Sequence, residues 1–176
     1  MLVACSGLNQ ETNKNIALSK LHWCGKPSMI FRDEGANGAK TVTDWAQVQL
    51  NLGLTIFLPA TLPIDACLVG VSGTLHDPIF GSSFTIGYLL PDHSALSLSE
   101  APLRSQNTAF QCSPPTTTTG DSKTKSATAT TANEDAVQLC SGARATTNIV
   151  LSARGTTATL EQFFQALEPN INWMPT

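Results

Sequence analysis

Charge is scarce in this chain. Asp, Glu, Lys and Arg together make up 13% of its 176 residues, about half the share usual in a soluble domain. The 10 basic residues are outnumbered by 13 acidic ones, for a net charge of −3. That balance excludes nucleic acid as a partner, because neutralising phosphates requires clustered Lys and Arg. No apolar run approaches the roughly 18 residues of a membrane-spanning helix. G-x-S-x-G, G-x-G-x-x-G, H-E-x-x-H and the phosphate-binding P-loop pattern are all missing, and with them the commonest signatures of hydrolases, nucleotide enzymes and zinc proteases. A non-catalytic chain without a cofactor is the expectation. What remains is 41% hydrophobic with a mean hydropathy of +0.01, which suits one domain with a real core.

Five cysteines are present, and they are not equivalent. Cys5 sits in Leu2-Val3-Ala4-Cys5-Ser6-Gly7, which resembles the lipobox of bacterial lipoproteins, whose cysteine is diacylated and becomes the mature N-terminus. Small residues before the cysteine let an extended chain enter a signal-peptidase cleft. A basic segment and an apolar segment should precede such a box, so further sequence upstream of Met1 is expected. If Cys5 carries lipid, Cys24, Cys67, Cys112 and Cys140 are left, with three possible pairings. Cys112 and Cys140 flank the most loop-like stretch of the chain, so a bridge closing it is the natural use of one pair. Cys24 and Cys67 then form the other. Such bridges imply an oxidising compartment outside the cytoplasm; the competing reading is four buried, reduced thiols.

Residues 1–20 read as lipobox and flexible tether, and 21–176 as a single domain beginning near Leu21. Met29-Ile30-Phe31 is a short strand and Asp33 to Gly38 a loop by composition. Asp44 with Gln47 makes a capping box, Trp45, Val48 and Leu52 share one helical face, and Gly53 ends the helix. Leu54 to Leu58 is a strand stopped by Pro59. Cys67 to Leu75 alternates, with Val69, Val71, Gly73 and Leu75 on one face; Phe84, Ile86, Tyr88 and Leu90 alternate again, and Leu96 and Leu98 continue. Turns fall at His76-Asp77-Pro78 and Pro91-Asp92-His93-Ser94, giving an antiparallel meander. Residues 113–136, rich in Thr, Ser, Ala and Lys, lack the large apolar side chains that offset the entropy of ordering and read as a disordered insertion. Asn148 to Ala153 is a further strand. Thr159 with Gln162 makes a second capping box, and Leu160, Phe163, Phe164 and Leu167 form the clearest amphipathic face in the chain. The fold class is therefore α+β: an antiparallel sheet of about five strands with two helices packed on one face.

The stretch Leu52-Gly53-Leu54-Thr55-Ile56-Phe57-Leu58-Pro59-Ala60-Thr61-Leu62-Pro63, with Leu96-Ser97-Leu98-Ser99-Glu100 further on, resembles an extracytoplasmic domain family of unknown function. That family occurs in bacterial lipoproteins and at the outer ends of transmembrane anti-sigma regulators. The match runs from Trp45 to Glu100, and departs from the family at Ile64-Asp65-Ala66-Cys67, where a short polar turn and an aromatic are usual. The resemblance implies an exported α+β sensor or binding domain and supplies no catalytic residues.

Candidate chemistry is sparse. His76-Asp77 and Asp92-His93 are adjacent pairs, and adjacent residues on a strand point to opposite faces, so they make poor metal chelates. Trp23-Cys24-Gly25-Lys26-Pro27 echoes a thioredoxin active site, but Pro27 stands where dithiol exchange needs its second cysteine. Gly70-Val71-Ser72-Gly73 lies inside an alternating strand. Trp23, Trp45 and Trp173 read as packing residues. The expectation is a lipid-anchored, extracytoplasmic, non-catalytic domain whose partners are the membrane surface and an unknown protein or small-molecule ligand. The alternative is an exported hydrolase or redox enzyme with a site assembled from distant residues.

Overall fold

Nine residues from Gly81 to Leu89 alternate strictly between buried and half-buried, and this period of two places Ser82, Phe84, Ile86 and Tyr88 on one face of a sheet. The computed structural model containing this strand describes residues 14–35, 38–104, 108–113 and 136–175. Cys5 and the stretch 114–135 lie outside the described residues.

The strands are β1 (Asn15–Ala17), β2 (His22–Trp23), β3 (Met29–Asp33), β4 (Lys40–Val42), β5 (Phe57–Leu58), β6 (Thr61–Pro63), β7 (Cys67–Asp77), β8 (Gly81–Leu89), β9 (Ala95–Pro102), β10 (Gln111–Ser113), β11 (Val137–Arg144), β12 (Thr147–Arg154) and β13 (Glu168–Pro169). The helices are α1 (Trp45–Leu52) and α2 (Thr157–Gln165). The main sheet runs in the order β10-β11-β12-β9-β8-β7-β3-β4, with β2 also paired to β7. β1 pairs with β6 and β13 with β5 in two small ribbons.

The α+β class holds, but the sheet has nine strands rather than about five, and it is mixed, since β2 and β3 both run parallel to β7. The extra strands are those with little periodic signal. β2, β4 and β10 are two or three residues long. In β11 the buried positions are Gln138, Cys140 and Gly142, whereas Val137 and Leu139 are exposed. Its hydrophobic pattern points the wrong way for its burial. Order also begins earlier than Leu21: β1 precedes it, and Leu18 is fully buried.

Register aligns the inner face across the sheet. Tyr88 lies opposite Leu96, Ile86 opposite Leu98 and Phe84 opposite Glu100; Leu98 and Glu100 in turn face Leu151 and Ile149. The opposite face is built of small polar side chains: Thr74 and Ser83 hydroxyls meet at 2.9 Å, and Thr85 donates to Ser99 at 3.0 Å. In β7 the alternation slips at an irregularity between Leu68 and Gly70. Val69 is therefore exposed, not grouped with buried Val71 and Leu75, the effect expected of one extra residue in a strand. Gly73 admits the neighbouring ring: a Cβ there would lie 2.7 Å from Cε1 of Phe31 and 2.0 Å from the Ser83 carbonyl oxygen.

Asp44 caps α1 by accepting from the Ala46 N–H at 3.0 Å, Val48 and Leu52 are buried, and Gly53 closes the helix at φ 65°, as its Ncap and C′ positions predict. For α2 the cap is Thr156, three residues ahead of the expected Thr159; its hydroxyl accepts from the Thr159 N–H at 3.2 Å. Leu160 and Phe164 face inward, and Phe164 approaches Gly142, where a Cβ would sit 2.8 Å from its ring.

Candidate functional site

All four cysteines beyond Cys5 are bridged. Cys24 bonds Cys67 and Cys112 bonds Cys140, across 43 and 28 residues of sequence. The first bridge joins the end of β2 to the start of its parallel partner β7; the second links directly opposed residues of β10 and β11. These bridges fit an oxidising, extracytoplasmic setting. Among the described residues no helix is long and apolar enough to cross a membrane, and no group of three or more His, Cys, Asp and Glu side chains converges as a metal site.

Of the surface clefts among the described residues, two carry the groups that bear on function. The first is a groove of about 300 Å³ between α1 and the chain that follows β13, with a wall formed by the residues before β5. Trp45, Leu52, Leu54, Ile56, Ile171 and Trp173 supply its apolar lining; Gln49, Asn170 and Asn172 supply three carboxamides. Among the described residues, no ionisable side chain lines it. Trp45 is half-buried and packs edge-on against Trp173 at 4.9 Å, and both indoles stand 6.0 Å from the Phe84 ring. Trp173 is thus packed as the sequence suggested, but it lines the groove as well. Its indole N–H is buried without a hydrogen-bond partner, a cost that native interiors usually avoid.

The wall of this groove is tied to the sheet by side chains from three elements. Thr147 donates its hydroxyl to the Thr55 carbonyl at 2.7 Å. Glu100, only 1% exposed, takes the Phe57 N–H on its two carboxyl oxygens at 2.9 and 3.2 Å. Burial pushes the Glu100 carboxyl up to about 8, against the lowering effect of that N–H, so it is neutral at pH 7. Burial and the Glu100 charge both raise the Tyr88 phenol, whose hydroxyl is also unpartnered. Arg144 places its guanidinium over the Phe57 ring and donates to the Phe164 and Gln165 carbonyls at the C-terminus of α2, where a cation is favoured. Asn170, left-handed at φ 59°, donates its backbone N–H to Ile56 at 3.2 Å.

The second cleft, of about 670 Å³, is lined by Asp33, Glu34, Lys40, Asn51 and His76 among others. Parallel pairing of β3 with β7 brings Asp33 beside Leu75, and His76 Nδ1 lies 2.9 Å from Asp33 Oδ1. Lys40 Nζ is 3.3 Å from the other oxygen, and Gly35 donates its N–H. The His76 contact, then the Gly35 N–H and Lys40, hold the Asp33 carboxyl below the usual range despite desolvation. An ionised carboxylate only accepts, so it is Nδ1 of His76 that donates in this contact. His76 sits in the left-handed region at φ 56°, uncommon outside glycine. Among the described residues, no Ser, Thr or Cys lines this cleft.

Asp77, the sequence neighbour of His76, caps the turn after β7 by accepting from the Ile79 and Phe80 N–H groups, so it is Asp33 that pairs with the imidazole. The Asp33–His76 pairing carried no local signal, being 43 residues apart. Glu100 did carry one: it follows Leu96 and Leu98 at a spacing of two, on the buried side of β9.

Fold and clefts together define a disulfide-linked α+β domain on a mixed sheet, with an uncharged aromatic groove at one place and a carboxylate–imidazole pair at another. Comparison with protein-family models, curated proteins and solved structures finds no match to the chain.

Proposed function

We propose that this chain is a membrane-tethered, extracytoplasmic lipoprotein domain, acylated at Cys5, that binds a ligand non-catalytically in the groove between α1 and the β13 region. In this reading both helices cover the inner face of the sheet; the approach of Phe164 to Gly142 and the burial of Val48 and Leu52 support it. The resemblance to the exported sensor family stands with it as a proposal. The carrying observation is the groove's lining of indole, aliphatic and carboxamide groups, with no titratable side chain among the described residues, the makeup of a binding pocket rather than of an acid–base site.

Two experiments test it. Cells fed an alkyne-tagged fatty acid should label the wild-type protein and not Cys5→Ser; equal labelling of both removes the anchor. A thermal-shift screen against small molecules should yield ligands whose shift is lost in Leu54→Trp, which fills the groove; ligands indifferent to that change remove the groove.

The Asp33–His76 pair favours a second reading, an exported hydrolase with His76 as general base acting on water. Turnover of ester, amide or phosphoester substrates that disappears in His76→Ala would support it, and inertness across such a panel would dismiss it.

A further inference from the structure

Three carboxamides surround the aromatic groove, and among the described residues none of their side chains has a hydrogen-bond partner. Gln49 projects from α1, and Asn170 and Asn172 flank Ile171 after β13. The Asn170 side chain is uncommitted although its backbone N–H is bonded to Ile56. An amide side chain offers both a donor and an acceptor, and so does a hydroxyl group. The remaining lining consists of two indoles and four aliphatic side chains, surfaces that suit the C–H face of a saturated ring.

We infer that the groove binds a neutral, hydroxyl-bearing ring of the size and kind of a single sugar unit. The inference rests on the reading of this groove as the ligand site and adds the class of ligand. Size is the first argument: about 300 Å³ stands at the lower end for small-molecule pockets, room for one ring and not for an extended ligand. Charge is the second. With no Lys, Arg, His, Asp or Glu in the lining among the described residues, a charged ligand would shed its hydration and find no counter-ion. Polarity is the third. A purely apolar ligand would leave three amides to lose water without replacement, and a site built with hydrogen-bonding groups discriminates strongly against ligands that cannot use them.

The test is a titration of the full chain followed by tryptophan emission and calorimetry. The probes are glucose, galactose, mannose and N-acetylglucosamine, with glucuronate and glucosamine as charged counterparts and methylcyclohexane as the apolar one. At least one neutral sugar should bind saturably, at least tenfold more tightly than either charged counterpart. Gln49→Ala and Asn172→Ala, both at exposed positions, should together weaken it about tenfold or more, with an unchanged circular dichroism spectrum. Preference for a charged sugar or for methylcyclohexane, lost in Leu54→Trp, would overturn the sugar assignment and leave the groove as a ligand site. Silence with every probe would overturn the sugar assignment, and the thermal-shift screen then decides the groove itself. Sugar binding that survives both amide truncations and Leu54→Trp would place the site elsewhere and overturn the proposal.

Discussion

Glu100 lies between Phe84 and Ile149 on the inner face of the sheet, where any charge would be costly. Its carboxyl, raised from an ordinary 4.5 to about 8, makes stability depend on pH with a definite sign. Below 4.5 the native and unfolded chains both hold the proton. Between 4.5 and 8 the unfolded chain releases it and the native chain does not, so this group's contribution to stability falls as pH rises, by roughly 1.4 kcal/mol per pH unit. Above 8 both forms are ionised and the fall stops. Glu100→Gln keeps an acceptor for the Phe57 N–H and cannot ionise. Urea midpoints compared across that range should therefore show the variant gaining on wild type with increasing pH; parallel curves would contradict the assignment. Asp33 runs the other way. Its lowered value means that its contribution is present above pH 3.8 and is lost as pH falls through the native value.

At the scale of elements, legibility depended on how local the signal was. The cap of α1 could be read because one Asp stands before the apolar period and one Gly after it. For α2, Thr156, Thr157 and Thr159 all precede Leu160, and spacing alone could not choose among three residues of the same chemistry. Gly155 at φ 145° followed by extended Thr156 made the choice in the folded chain. Thr156→Ala should then cost about 1 kcal/mol in denaturant unfolding, whereas Thr159→Ala should change stability by no more than a few tenths. The reverse order would restore the cap expected from sequence. β8 and β9 were legible from alternation; β11 was not, because packing against Phe164 required glycine at position 142 and left its large apolar side chains outside. The two clefts were beyond sequence reading, since each joins segments that only the strand order brings together. Of the groove, the sequence shows Trp45 and Leu52 as a shared helical face and Trp173 as a packing residue, without the cavity between them.

For the molecule as a whole, each bridge joins two paired strands of the main sheet: one fixes β2 against β7, the other fixes β10 against β11. Both pairings were legible, because one follows from the composition between Cys112 and Cys140 and the other from the cysteines that remain. Unreduced protein should weigh about 4 Da less than the reduced chain, one hydrogen per bridged sulfur; an unchanged mass would refute both bridges. Replacing Cys112 and Cys140 together by Ser should lower stability by about 4 kcal/mol on chain-entropy grounds for a separation of 28 residues, read as a shift in the denaturation midpoint. The second bridge has a topological consequence as well. Every peptide bond between Cys112 and Cys140 is bypassed by sulfur, so a protease cutting anywhere in that interval yields two polypeptides that still migrate as one molecule and part only when a thiol reductant is added.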